Sequence, residues 1–323
     1  MDGNKKLLEL SINEAFTSIF ALRKITRRDY EGKAYLVVEV ADSSGRLRGS
    51  YWGDDAAKLF EELKTAEAVK IQGLIGEYKD EKDIKISQIR AAAPDEYSPE
   101  EFLRVGKMPR EQLEREIDEL IASVSEPHLY ALLHSIFDNN AFRDGFFTAP
   151  AGKLWHGAYI GGLAEHTINV AKICDLAATM FELCRRDLLM TAALLHDIGK
   201  VEELTVTTYF DYSVPGRLLG HLILGDRRIL EAISRIEGFP QKTTDELSHM
   251  MLSHHGEPAM GSAIFPKTLE GAILHHADWL ESQANAFSHV IEKELPDGMA
   301  FSSWIKPADR FLYLEGYREK IDD

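Results

Sequence analysis

The chain has 323 residues, of which 45% are hydrophobic and 28% charged, a composition typical of a globular protein with room for about two domains. No apolar run approaches the ~18 residues of a membrane helix, and the first six residues lack the apolar core of a secretory signal, so we expect a cytoplasmic protein with no membrane partner. The net charge of −16 arises entirely after residue 93, because residues 1–93 carry 16 basic and 16 acidic side chains, so the mean field of the later part does not attract a polyanion.

The first predicted domain, residues 1–93, is a small all-β unit. Five short segments with alternating or β-branched character are separated by turn residues, and they cover 16–25, 33–40, 46–52, 68–76 and 83–89. A short helix is predicted over 54–63, between the third and fourth strands. Five strands with a helix after the third is the order of an OB-fold barrel, a common module for binding single-stranded nucleic acid.

Aromatic and basic side chains of this barrel are candidate contacts for a nucleic-acid strand, since a ring can stack on a base while arginine follows the phosphates. The candidates are Tyr35, Arg46, Arg48, Tyr51 and Trp52. Trp52 fits a core or rim position equally well, so both interpretations stay open.

A Pro-containing stretch at 91–99 marks the predicted boundary. Residues 94–150 are predicted to be a linker and helices that lead into an all-α bundle, which occupies 151–323. The aromatic stretch after Pro296 either packs on the bundle or forms a subunit contact, so a homo-oligomer is an open alternative.

Residues 194–200, Leu-Leu-His-Asp-Ile-Gly-Lys, close an apolar run that begins at Leu188. The run predicts a helix buried on all sides that stops near Gly199. Taken alone, the pair His196 and Asp197 fits a helix cap beside a hydrogen-bonded core histidine. A buried carboxylate nevertheless has to be paired, hydrogen-bonded or bound to a metal.

Two further histidines fall on predicted helices. His166 lies on the apolar stripe of a helix over 162–180, a stripe that ends at Met180. His221 is predicted to lie in register with Leu218 on a helix that continues through Ile233.

The last candidates lie on two later helices. A helix with a capping box at Thr243 is predicted to end in His254 and His255, and Asp278 lies on the inner edge of a helix over 269–287. A helix bundle can converge such groups on one interior site. Mixed imidazole and carboxylate ligands suit Mn, Fe, Zn, Co or Ni.

The order of these residues, with the motif His-Asp-x-Gly-Lys, resembles the HD-domain metal-dependent phosphohydrolases. The sequence Trp-His-Gly-Ala-Tyr-Ile-Gly-Gly-Leu-Ala-Glu-His-Thr over 155–167, preceded by an OB-like domain, resembles one branch in particular, the YhaM family of bacterial 3′-to-5′ exoribonucleases. The similarity in domain order covers nearly the whole chain. The HD-GYP cyclic dinucleotide phosphodiesterases use a similar ligand order, but Gly-Glu-Pro follows the double histidine here and the sequence contains no Gly-Tyr-Pro.

The resemblance implies two neighbouring metal positions, with Asp197 bridging them. The first would be held by His166, His196, Asp197 and Asp278, and the second by His221, His254 and His255. We expect one or two divalent ions, with Mn²⁺ preferred and Fe, Co, Ni, Zn or Mg as alternatives.

The implied function is hydrolysis of single-stranded RNA, or DNA, from the 3′ end by a metal-activated water. Asp197 and Lys200 are the expected catalytic residues, although Lys200 also suits a helix C-terminus whose dipole it complements. Lys153 and His156 precede the first ligand helix and are expected to contact substrate. Two alternatives stay open: a phosphohydrolase acting on a nucleotide or cyclic nucleotide, and a non-catalytic regulator that binds single strands.

Overall fold

A computed structural model of the chain describes residues 6–78, 81–98, 101–153, 157–306 and 308–320. The chain divides into two units. The first comprises Met1–Val105 with Val206–Phe210, and the second comprises Gly106–Thr205 with Asp211–Asp323. The domain boundaries inferred above from the sequence stay predictions.

The first unit contains a closed five-stranded barrel. Its elements are β1 (Ala15–Tyr30), β2 (Lys33–Asp42), β3 (Gly45–Tyr51), α1 (Ala56–Leu63), β4 (Ala68–Tyr78) and β5 (Glu81–Ala91). The strands follow the order β1-β2-β3-β5-β4 around the barrel, in which β3 and β5 run parallel and the other described pairs antiparallel. The predicted OB-like barrel is confirmed.

Local sequence explains how these strands form. In β2, Leu36, Val38 and Val40 are fully buried while the residues between them are more exposed, which is the period of a strand with one face on a core. The hairpin to β1 turns through Glu31 and Gly32, both at positive φ, as a two-residue turn of the favoured hand requires.

The second unit is mainly helical, as predicted. Its helices are α2 (Arg110–Ala122), α3 (Pro127–Phe137), α4 (Asn140–Thr148), α5 (Gly162–Met180), α6 (Arg186–Leu195), α7 (Lys200–Glu203), α8 (Val214–Ile233), α9 (Gln241–Ser253) and α10 (Leu269–Glu294). A hairpin of β6 (Leu204–Val206) and β7 (Phe210–Tyr212) follows α7, and its segment Val206–Phe210 is assigned to the first unit. The small hairpin of β6 and β7 departs from the helical pattern, because strands of three residues are too short to show a period. Among the described residues, no helix is both long and apolar enough to cross a membrane.

One apolar cluster joins the helices of this unit. It contains Phe137, Phe146, Leu163, Leu189 and Leu247, all nearly inaccessible to solvent. The stretch after Pro296 packs on the end of α10 through a separate small cluster, which includes the buried Leu312. The aromatic side chains of that stretch are about half exposed, namely Phe301, Trp304, Phe311 and Tyr313.

Candidate functional site

Helix α6 positions the central histidine and aspartate. Its side chains from Leu188 to Leu195 are all buried, and His196 and Asp197 directly after it are 1% and 2% exposed. Gly199 does not stop the helix through a left-handed conformation, since its φ is −63°. A Cβ at this position would lie 2.0 Å from the backbone carbonyl oxygen of His221, so Gly199 instead permits the close approach of α8.

Three side chains, His166, His196 and Asp278, lie on one side of Asp197, and we call His166, His196 and Asp197 the first group. The Nε2 atoms of His166 and His196 are 3.2 Å apart, and they lie 3.4 and 3.3 Å from Asp197 Oδ2. Asp278 borders this group, because its Oδ1 lies 3.2 Å from His166 Nε2. The donor atoms of the first group all lie within 4.8 Å of one another, so the group could hold one metal ion.

The other oxygen of Asp197 faces the second group, which we define as Asp197, His221, His254 and His255. Asp197 Oδ1 lies 3.5 Å from His221 Nε2 and 3.8 Å from His254 Nε2. The Nε2 atoms of His221 and His255 are 3.3 Å apart. These four donor atoms also lie within 4.8 Å of one another and could hold a metal ion. The two groups therefore share a single carboxylate.

The hydrogen bonds of two histidines test whether the groups fit a metal. His196 Nδ1 donates to the carbonyl oxygen of Ala193 at 2.8 Å, and His254 Nδ1 donates to that of Met251 at 2.9 Å. Because a carbonyl only accepts, each Nδ1 carries the proton and each Nε2 presents a lone pair to the interior. No described residue supplies a hydrogen bond to His254 Nε2 or Asp197 Oδ1, although both atoms are buried. A cation between them would satisfy both.

The charges of the site also favour a cation. Burial raises the pKa of Asp197, but the adjacent Lys200 ammonium outweighs that effect and holds it well below its ordinary value. Burial likewise raises the pKa of Asp278, and His166 more than reverses the change. Lys200 Nζ contacts Asp197 Oδ2 at 2.5 Å. Lys200 and His166, whose pKa is raised, both place positive charge beside the two ionised aspartates, and a metal ion that displaces the His166 proton would replace that charge.

Protonation of the histidines differs between the two groups. Burial lowers the pKa of His254, and burial with His221 lowers that of His255 to about 4, so both are neutral lone-pair donors at pH 7. Burial also lowers the pKa of His166, but Asp197 and the other carboxylates around it raise it well above its ordinary value. Metal binding at His166 therefore displaces a proton.

The structure brings all seven predicted ligands together, whereas the other predicted contacts are more scattered. Lys153 Nζ is bonded to Asp211 at 2.6 Å and lies 5.4 Å from the Tyr212 ring. His156 lies outside the described residues. The roles assigned to all these residues stay predictions.

Three details of the predicted helices are wrong. Gly220, at φ +72°, interrupts α8, so His221 is not in helical register with Leu218, whose side chain is 77% exposed. Helix α9 begins at Gln241, two residues before the predicted cap at Thr243. The apolar stripe of α5 does not stay buried to its end, since Met180 is 64% exposed.

Two carboxylates beside the histidines were missed from the sequence. Glu281 lies 2.5 Å from His166 Nδ1, and Glu203 lies 3.1 Å from His221 Nδ1. Glu281 could have been found, because it follows Asp278 by three residues and so shares its helix face. Glu203 carried no comparable signal, since its contact depends on the interruption of α8.

Two of the predicted aromatic residues of the barrel lie outside its core, with Tyr35 on β2 and Trp52 directly after β3. The rings of Tyr35 and Trp52 are stacked, with centroids 4.1 Å apart and planes 3° apart, and Trp52 is 52% exposed. Arg46 is bonded to Glu39 at 3.3 Å, and Arg48 is exposed at the position opposite Glu39. Tyr51 takes a different direction, because its hydroxyl donates to Asp55 at 2.7 Å and its ring packs against the barrel core.

Comparison with known proteins locates the candidate ligands in a recognised domain. Residues 163–283 match the HD domain family. The chain is 28% identical to the 3′-5′ exoribonuclease YhaM of Listeria innocua serovar 6a, over 90% of this chain and 93% of that protein. It is 28% identical to the protein of the same name from Geobacillus sp. strain WCH70, over 90% of both chains, and 26% identical to that of Halalkalibacterium halodurans, over 98% of both.

A solved structure of RecG bound to a three-way DNA junction also matches, with 11% identity, a TM-score of 0.24, and coverage of 75% of this chain and 42% of that one. A match this loose carries no argument about fold or function.

Proposed function

We propose that this chain, whose residues 163–283 form an HD domain, is a metal-dependent 3′-5′ exoribonuclease that hydrolyses phosphodiester bonds of single-stranded RNA. The observation that carries the proposal is the position of Asp197, which presents one carboxylate oxygen to each of two groups of histidines. The relatives that extend over nine-tenths of the chain and bear the name of this activity support it.

The chemistry of the substrate explains why such a site is needed. A phosphodiester is a poor electrophile, because its negative charge repels an attacking hydroxide. A bound metal supplies positive charge and lowers the pKa of a water molecule, which makes hydrolysis accessible at neutral pH. The side chains of both groups would hold the metal in a buried interior, where electrostatic interactions are strongest.

Lys200 is proposed to act on both Asp197 and the substrate. Burial lowers the pKa of Lys200, but Asp197 reverses the effect and raises it, so the ammonium is charged at neutral pH. Its contact with Asp197 Oδ2 fixes that carboxylate between the groups. The same ammonium could contact the phosphate or assist the leaving oxygen. The alternative role, a lysine that complements a helix C-terminus, stays a prediction, because α7 has four residues and Lys200 lies within one turn of both its ends.

We propose Mn²⁺ as the ion, bound at one or both groups. The first group with Asp278 offers two imidazoles and two carboxylates, and the second offers three imidazoles and one carboxylate. Such mixed sets also accept Fe, Co, Ni or Zn, whereas Mg²⁺ prefers oxygen alone.

The barrel is proposed to bind the RNA strand, and DNA is an alternative substrate. A cytoplasmic location and the oligomeric state stay predictions.

A 5′-labelled single-stranded RNA oligomer tests the proposal when it is incubated with the purified protein and Mn²⁺. We expect a ladder that shortens from the 3′ end and disappears with a chelator. The same oligomer made of DNA and a panel of nucleotides and cyclic nucleotides run in parallel. Intact RNA together with cleavage of a small nucleotide would replace this proposal by the nucleotide phosphohydrolase, and binding of RNA without any cleavage would favour the regulator.

Replacement of Trp52 by Ala is expected to weaken binding of single-stranded RNA by about 1–3 kcal/mol, the value of one base stacked on an aromatic ring. The half-exposed indole, stacked on Tyr35, offers such a surface. Fluorescence anisotropy with a labelled oligomer in the presence of a chelator measures binding without cleavage. Trp304→Ala, which removes an equally exposed indole from the helical unit, is the matched control. If both variants bind RNA with equal affinity, Trp52 is a rim residue of the barrel and does not stack on a base.

A further inference from the structure

Each group of candidate ligands contains a histidine that contacts a carboxylate from another element. We propose that Glu281 and Glu203 are positioning residues for the metal, with Glu281 orienting His166 in the first group and Glu203 orienting His221 in the second. The inference rests on the proposed function in one respect, that the two groups bind metal.

Glu281 is fixed at both of its oxygens. Its Oε2 lies 2.5 Å from His166 Nδ1, and its Oε1 accepts from Asn169 Nδ2 at 3.2 Å. The His166 and Glu281 side chains are only 2% and 6% exposed, so the contact is shielded from bulk solvent. An ionised carboxylate accepts the Nδ1 proton, which directs His166 Nε2 towards Asp197 and Asp278.

Glu203 holds both the ring and the backbone of His221. Glu203 Oε1 accepts from the His221 backbone N–H at 3.1 Å, and the carboxylate lies 3.1 Å from His221 Nδ1. The backbone N–H of His221 is available because Gly220 leaves the helical conformation just before it. Glu203 is itself held, since its carbonyl oxygen accepts from Ser213 N–H at 2.8 Å.

The positions of the histidines in their helices explain why carboxylates are needed. His196 and His254 directly follow helices α6 and α9, where the last carbonyl groups have no intrahelical partner and can accept from Nδ1. His166 lies inside α5, where carbonyl groups accept from the helix itself, and His221 begins the helical segment after the break at Gly220, where no helical turn precedes it. An acceptor from another element is therefore required. Each group contains one histidine bonded to a backbone carbonyl and one histidine that contacts a carboxylate.

Binding of Mn²⁺ to the purified protein tests this division. We expect Glu281→Gln and Glu203→Gln each to lower the affinity for one equivalent of Mn²⁺ by about 10–100-fold, the usual cost of removing such a hydrogen-bond partner. The affinity for the other equivalent should stay unchanged. Equilibrium dialysis with elemental analysis measures both equivalents. The matched controls are Glu270→Gln, a buried carboxylate of the same helix that pairs with Arg185, and Glu202→Gln, an exposed neighbour that pairs with Arg228.

A second readout does not depend on metal. In metal-free protein with ¹⁵N-labelled histidine, Glu281→Gln should change the Nδ1–H signal of His166 and leave that of His221 in place, and Glu203→Gln should do the reverse. Glu281→Asp, which keeps the carboxylate, should recover part of the Mn²⁺ affinity. Wild-type Mn²⁺ binding in both Gln variants would overturn the proposal, as would loss of both equivalents in either one.

The RNA assay remains a separate measurement. A wild-type protein that binds Mn²⁺ with the expected variant pattern but leaves RNA intact would refute the exoribonuclease proposal and retain the roles of Glu281 and Glu203. RNA cleavage by the wild-type protein, together with normal Mn²⁺ binding by both Gln variants, would support the exoribonuclease proposal and refute the roles of Glu281 and Glu203.

Discussion

Asp197→Ala is expected to lower the rate of RNA hydrolysis by at least about 1,000-fold, a loss of about 4 kcal/mol of transition-state stabilisation. The reason is geometric, because Oδ2 of this carboxylate faces His166 and His196 while Oδ1 faces His221 and His254. Among the histidines that the structure describes, none has a comparable position. Initial rates with 5′-labelled RNA, together with the Mn²⁺ content of the variant, measure the effect.

The control for this variant has to separate lost chemistry from lost folding. Removal of Asp197 leaves Lys200 buried without its partner, and breaking a buried ion pair costs about 3–5 kcal/mol of stability. Asp197→Ala combined with Lys200→Met removes both charges and should recover much of that stability while staying inactive. Asp245→Ala, an exposed aspartate on α9, should keep full activity. A folded Asp197→Ala protein with wild-type hydrolysis would contradict the assignment of the site.

The sequence predicts where the candidate ligands lie when helix ends determine their placement. Gly256, at φ +83°, follows α9, so a helix that approaches this glycine presents His254 and His255 at its end. The nearly apolar run of α6 from Leu188 to Leu195 similarly indicates that Asp197, two residues after the helix, is buried and has to be compensated. A helix-ending glycine identifies the two histidines, and the cost of burying a charge identifies the aspartate.

The parts that the sequence does not predict depend on contacts between elements. Gly220 fits a helical period, and only the packing of His221 against Glu203 reveals that the backbone leaves the helix there. The hairpin of β6 and β7 is too short for a period to show. On the barrel, alternation predicts which residues face outward, but it cannot distinguish the stacked Trp52 from Arg46, whose charge Glu39 compensates.

Gly199→Ala is expected to destabilise the protein by about 1–3 kcal/mol or more, although alanine adopts φ −63° without strain and usually favours a helical conformation. The cost is steric, because the added Cβ would lie 2.0 Å from the His221 carbonyl oxygen and 2.6 Å from the Gly225 nitrogen. Backbone atoms cannot yield as a flexible side chain can. Helix α8 must therefore move away and take His221 with it.

This displacement predicts which metal position suffers. We expect Gly199→Ala to weaken Mn²⁺ at the second group, which contains His221, more than at the first, and urea unfolding with equilibrium dialysis measures both effects. Gly225→Ala is the matched control on the opposite side of the same contact, because its Cβ would approach no closer than 3.3 Å to Gly199. If Gly199→Ala matched Gly225→Ala in stability and Mn²⁺ binding, glycine at 199 would not be required for close packing. If it lost stability but bound Mn²⁺ normally, the contact would support the fold without placing His221.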